Sequence, residues 1–174
     1  HGGHNASGSV VANSHISVDV ATFIDLNGGT NTFANAQIGH GGVNSMNLTV
    51  NNSNIDLNQT GTGTGNLTLD GNGSNAYAQV GHGGARNDGN GNFGTYAGNV
   101  TVHKAANVTL TSGSGPDSYT QIGHGGEGGT GTGTAGDYSG NVAVTTAGTV
   151  TVDAGSSTDT YSQIGHGGET SRAD

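Results

Sequence analysis

The residues of this chain best equipped for chemistry are histidines that recur in one frame. His40, His82, His124 and His166 stand 42 residues apart, each inside a Gln-Ile/Val-Gly-His-Gly-Gly string, and His1-Gly2-Gly3 reads as the tail of a preceding copy. If one copy makes one coil, the four imidazoles stack at the inter-strand spacing of about 4.8 Å. Stacked imidazoles could bind Zn, Cu or Ni. A metal needs three or four converging donors, however, and each copy offers one His flanked by glycine, with no Cys and no Asp or Glu placed consistently in every copy. The preferred role is therefore structural: each ring closes a corner by bonding backbone in a turn the glycines permit. A metal-binding array on the same column is the alternative. Unperturbed histidine titrates near about 6.5, so acid below about pH 6 is expected to loosen the stack.

Gln37, Gln79, Gln121 and Gln163 form a second column three residues before each histidine and are expected to make an amide ladder. Other chemistry finds less support. Asp19, Asp25, Asp56, Asp117, Asp137, Asp153, Asp159, Glu127 and Glu169 share no obvious site at which they would converge on a substrate, so an enzyme is not expected. Calcium is disfavoured too: Asp70-Gly71-Asn72-Gly73-Ser74 and Asp88-Gly89-Asn90-Gly91-Asn92 alternate oxygen donors but lack the closing Glu of an EF-hand loop, and read as turns. Asn-x-Ser/Thr triplets begin at Asn5, Asn47, Asn51, Asn58, Asn66, Asn99 and Asn107. Because Asn141 holds the register of Asn99 without a following Ser or Thr, an asparagine ladder or turn explains the residue better than glycosylation.

Such columns need elements that return to the same place every coil. Gly98-Asn99-Val100-Thr101-Val102 recurs as Gly140-Asn141-Val142-Ala143-Val144, and Asn107-Val108-Thr109-Leu110 recurs as Thr149-Val150-Thr151-Val152. Apolar β-branched or Leu residues alternate with small polar ones, the period of a strand with one buried face. No 3.6-residue stripe supports a helix. Three short strands per copy cannot bury their apolar faces alone, whereas stacked copies build a continuous core. The expectation is an all-β parallel β-helix, or β-solenoid, of about 42-residue repeats, with Ile38, Val80, Ile122 and Ile164 inside. Repeats span 1–39, 40–81, 82–123 and 124–165, with a partial copy at 166–174, in one array. The Gly-rich stretch from Gly125 to Ser139 reads as a loop excursion from one corner, and two smaller coils per repeat is the competing parse.

These Gly-Asn-Val-Thr-Val strands and the Tyr-x-Gln-Ile-Gly-His-Gly-Gly signature, complete at Tyr119 and Tyr161, resemble the filamentous-haemagglutinin-like exoproteins and related large repetitive bacterial surface adhesins. The resemblance implies right-handed β-helices and roles in adhesion or matrix building, not catalysis.

Composition narrows the partners. The chain has 36 Gly, no Cys and 9% charged residues, giving −9 at pH 7. Its three cations, Arg86, Lys104 and Arg172, are scattered, so no basic patch exists for nucleic acid. No apolar run reaches the length of a membrane span. Absent cysteine removes disulfides and thiolate chemistry, and an Asn/Thr/Gly-rich chain of this kind suits the outside of a bacterial cell. Since residue 1 is His, the chain reads as a segment of a longer protein. The expected function is a structural or adhesive piece of a surface protein or extracellular fibre. It would stack end to end on copies of itself and touch a host or neighbouring-cell surface, or polysaccharide.

Overall fold

The computed structural model describes residues 10–44, 48–61, 65–85, 94–127 and 137–168. Among them the backbone forms sixteen short strands and no helix. The first circuit of the chain runs through β1 (Val10–Ala12), β2 (Ile16–Val20), β3 (Ile24–Asn27) and β4 (Asn35–Ile38). The second uses β5 (Leu48–Val50), β6 (Ile55–Gln59), β7 (Leu67–Gly71) and β8 (Tyr77–Val80), and the third β9 (Thr95–Ala97), β10 (Val100–Ala105), β11 (Val108–Ser112) and β12 (Tyr119–Ile122). The fourth comprises β13 (Tyr138–Ser139), β14 (Val142–Thr146), β15 (Val150–Asp153) and β16 (Tyr161–Ile164).

Every fourth strand shares a sheet, in the orders β1-β5-β9-β13, β2-β6-β10-β14, β3-β7-β11-β15 and β4-β8-β12-β16. All pairings are parallel. Four parallel sheets fed in rotation are the topology of a solenoid. The chain returns to a given sheet only after visiting the other three.

The alternation read from sequence becomes an inside and an outside. Ile55 and Leu57 on β6, Leu67 and Leu69 on β7, and Val80 on β8 point into one core with their counterparts Val100, Val102, Val108, Leu110 and Ile122. Asp56, Asn58, Thr68 and Asp70 alternate outward. Burying a Leu or Ile side chain contributes roughly 1.5–3 kcal/mol, and stacking on neighbouring coils supplies it, with Ile24 and Leu26 of the first coil buried as well. The middle coils achieve this. The last does not: Val150, Val152 and Ile164 keep much of their surface in solvent.

Three expectations need correction. A coil has four strands, not three; β1, β5, β9 and β13 form a sheet of their own, with Ala12, Leu48, Val50 and Tyr96 as a second small core. The stretch from Gly125 to Ser139 is not a loop throughout, because Gly125 bridges Gly83 and Gly167, and Tyr138–Ser139 is β13. Its remaining residues 128–136 lie outside the described residues, as do His1-Gly2-Gly3, Asn5, Asn47, Arg86, Glu169, Arg172 and the turn at Asp88. Ile164 continues the column of Ile122 but is exposed, with no further coil over it among the described residues.

Before each signature strand the chain makes a left-handed step. Asn75, Asp117 and Asp159 have φ of 52°, 57° and 57°. Asn and Asp enter this region more readily than other side chains, since their short polar groups bond locally. Phe33 holds the equivalent place in the first coil at φ 61°, packed against the tyrosine cluster.

Candidate functional site

β4, β8, β12 and β16 pair position for position, so each signature residue meets its copy in the next coil. Their inward residues join the apolar core. Their other face carries Tyr77, Tyr119, Gln79, Gln121 and, just past the strands, His82 and His124, all buried. Val43 and Ala85, on the chain that turns back after the glycines, pack on the tyrosines. The candidate site is thus an interior polar seam running along the stack.

The histidine geometry fixes its protonation. The backbone N–H of His40 donates to Nδ1 of His82 at 3.1 Å, that of His82 to Nδ1 of His124 at 3.1 Å, and that of His124 to Nδ1 of His166 at 3.0 Å. A peptide N–H can only donate, so Nδ1 must carry the lone pair and Nε2 the proton. Nε2–H then donates to a carbonyl earlier in the same coil: Ser53 O from His82 at 2.7 Å, Gly98 O from His124 at 2.8 Å and Gly140 O from His166 at 3.1 Å. His40 reaches Ser14 O at 3.3 Å in the same way. Each ring therefore latches the end of its coil to the link between the first two strands, and His82, His124 and His166 also accept a bond from the previous coil. The rings stack with centroids 4.7 to 4.9 Å apart.

The glutamines lie in the column expected, but their amides do not bond one another. Gln79 Nε2 donates to Gly123 O and Gly125 O of the next coil, both at 3.1 Å, and Gln121 Nε2 to Gly165 O at 3.0 Å and Gly167 O at 2.8 Å. Gln37 repeats this with Gly81 O and Gly83 O, and Gln163 donates to His166 O at 2.8 Å. The amide oxygens of Gln37 and Gln79 receive tyrosine hydroxyls instead: Tyr77 O–H donates to Gln37 Oε1 at 3.2 Å and Tyr119 O–H to Gln79 Oε1 at 3.4 Å. Glycine turns expose carbonyls along the stack axis, and the glutamines cap them. The tyrosine rings stack at 4.8 and 4.9 Å. Burial holds the hydroxyl of Tyr119 protonated well above its usual range.

One pair of residues escaped the sequence reading. Tyr96 and Tyr138 stack at 5.6 Å in the sheet of β9 and β13. Their recurrence at the signature's own spacing, each two residues before a Gly-Asn pair, was the available signal. The asparagines before the strands act between coils: Asn54 Oδ1 accepts from Asn99 N–H at 2.8 Å, Asn99 Oδ1 from Asn141 N–H at 2.9 Å, and Asn107 Oδ1 from Thr149 N–H at 2.9 Å.

What this seam can do is constrained by how fully it is bonded. A transition metal needs an imidazole lone pair, and at His82, His124 and His166 that lone pair already accepts a peptide N–H. Among the described residues no group of three or more His, Cys, Asp or Glu could hold an ion. Compared with family models, with curated proteins and with solved structures, the chain shows no match to any. The class of protein defined by fold and seam is accordingly a parallel β-solenoid whose distinctive side chains join coil to coil.

Acid acts on the seam through linkage. Burial lowers His82 to about 4 and His124 to about 3, and lowers His40 as well. An unfolded histidine titrates near about 6.5, so between those limits the unfolded chain binds more protons than the folded one. Stability is therefore full above about pH 7, falls as pH drops through about 6.5, and levels off near pH 3 to 4. Each histidine can contribute a slope up to about 1.4 kcal/mol per pH unit. The early loss near pH 6 arises from protons bound by unfolded chains; charging of folded His82 and His124 comes lower, and breaks the N–H bond that the Nδ1 of each accepts. Urea unfolding followed from pH 7.5 to 4.5 should show this fall. A flat profile would contradict the buried, neutral histidines.

Proposed function

We propose that the chain is a structural and adhesive segment of a bacterial cell-surface protein or extracellular fibre. One repeat of about 42 residues would make one coil, and copies would associate end to end. The observation that carries this reading is where the polar side chains go. Histidine, glutamine, tyrosine and asparagine, the groups an enzyme would present to a substrate, bond the next coil or close their own. A molecule that invests its reactive groups in cohesion is built to extend, not to turn over a substrate. The Asn/Thr/Gly-rich composition, the absence of cysteine and the adhesin-like strand motifs favour an extracellular setting. Binding to a host or neighbouring-cell surface, or to polysaccharide, would use the outward faces and the Gly-rich excursions.

Sedimentation velocity of the untagged chain at neutral pH tests the reading. Concentration-dependent, open-ended oligomers are expected, with filaments in electron micrographs. A monomer persisting at high concentration would count against a self-associating fibre segment. Zn, Cu or Ni at one ion per coil by elemental analysis, lost in a His82→Ala/His124→Ala variant, would favour a metal-binding array instead.

A further inference from the structure

Along the histidine and glutamine columns one residue type recurs, because each copy makes the same kind of bond. One outward column departs from that rule. β2, β6 and β10 pair so that Asp19, Asn58 and His103 lie side by side in three successive coils. A carboxylate, an amide and an imidazole thus follow one another at intervals of about 4.8 Å. Three unlike groups at one register position cannot repeat a single bond from coil to coil.

The same column is shaped. With Gln59 and Thr60, these three residues line a cleft of about 250 Å³ on the outer side of the sheet. Asp19, Thr60 and His103 are exposed and Asn58 is half-buried. Asn58 Nδ2 donates to Asp19 Oδ1 at 2.8 Å, and Thr60 Oγ1 donates to Val20 O at 3.2 Å, which holds the walls in place. His103 stands at a β-bulge, since Val102 to Ala105 on β10 spans one residue more than Val144 to Thr146 on β14. Bulges re-aim the side chains beside them and are over-represented next to active sites.

We propose that this cleft binds a single sugar unit of a polysaccharide. The inference rests on the adhesive reading above and gives it a place and a ligand chemistry.

The walls select for such a ligand. The Asp19 carboxylate, Asn58 Oδ1 and Thr60 Oγ1 accept hydrogen bonds, and a neutral His103 ring offers one donor and one acceptor. A partner must bring several donors and accept in return, as adjacent hydroxyls of a sugar ring do. An anion would meet the Asp19 carboxylate in a chain of net charge −9. A metal ion would lack ligands, because among the described residues no three His, Cys, Asp or Glu come together. Size agrees: the cleft falls below the roughly 300–1,000 Å³ of pockets for drug-sized ligands, so it admits one ring and leaves the rest of a glycan outside. Since its groups come from three coils, the site exists only in the folded stack.

Saturation-transfer difference NMR tests the site, with the methyl glycosides of glucose, galactose, mannose and N-acetylglucosamine as probes. The wild type is expected to give a saturable signal with at least one of them. His103→Ala and Asn58→Ala should each weaken it at least about tenfold, the effect of one or two lost hydrogen bonds. Thr68→Ala, outward on β7 of the neighbouring sheet, should bind like the wild type. Circular dichroism melts verify that each of these surface variants folds. Equal binding by the wild type, His103→Ala and Asn58→Ala would put the sugar elsewhere and overturn the site. A signal from putrescine alone, lost in Asp19→Asn, would overturn the ligand class in favour of an ammonium group. If no probe binds while the wild type still forms filaments in sedimentation, this inference falls and the fibre reading stands; if the wild type neither binds nor assembles, both fall.

Discussion

Gly83→Ala is expected to cost more than about 4 kcal/mol and to leave little folded protein at ambient temperature. Two effects combine at this position. Its φ of +117° lies in the left-handed region, where a side chain costs about 1–2 kcal/mol. The added Cβ would also overlap the carbonyl oxygen of Gly125 in the next coil, which is backbone and cannot swing aside. That carbonyl accepts from Gln79 and Gly84, so pushing it away breaks the seam as well as the bridge between Gly83 and Gly125. Gly167→Ala separates the two effects. Its φ is +98° and nothing lies within 4 Å of the added atom, so only the left-handed strain of about 1–2 kcal/mol should appear. Thermal unfolding of both variants in dilute solution, followed at the β-sheet band, measures the difference. Equal losses would mean that the coils do not approach each other this closely.

Ile122→Asp is the second large effect. The residue is fully buried in the main core, between Val80 and Ile164 in the columns of adjacent coils. Removing its methyl groups costs roughly 2–5 kcal/mol. The carboxyl brings a further penalty, whether it stays charged or is neutralised by a raised pKa. Ile164→Asp, the same substitution one coil later, should cost less than about 1 kcal/mol, because that side chain already reaches water. Since a solenoid is stabilised by nearest-neighbour contacts, hydrogen exchange in Ile122→Asp should rise first in β7, β8, β11 and β12 while β2 keeps more protection. Similar losses at the two isoleucines would contradict the open last coil.

How much of this was legible in the sequence varied with the length and origin of the signal. β10, β11 and β12 each carry enough alternation to be read as strands, and identical spacing implied that their copies lie side by side. β13 is two residues long. No period fits so short a segment, and its glycine-rich neighbours suggested loop. Asp117 and Asp159 looked like acids without a site because charge was the property being tracked; their place at a left-handed step depends on backbone conformation. The histidine and glutamine columns were visible as columns, but their partners were not. The carbonyl that His124 engages lies 26 residues upstream, and only the closed coil brings it near. Nor could a repeat pattern distinguish Ile122 from Ile164, since the difference lies in what covers each.

The circuit geometry has a mechanical consequence. Successive histidines are 42 residues apart along the chain yet one strand spacing apart in space. A coil thus advances the structure by about 4.8 Å while holding roughly 140 Å of extended backbone. Tension applied through the two ends would peel an outer coil by breaking its bonds to the next in turn, releasing some thirty times the coil's own height. Neighbouring coils keep their contacts while this happens. A tether of such coils yields in discrete steps under load and takes up slack when the load is removed, so the work of a sudden pull is absorbed coil by coil before any covalent bond is strained.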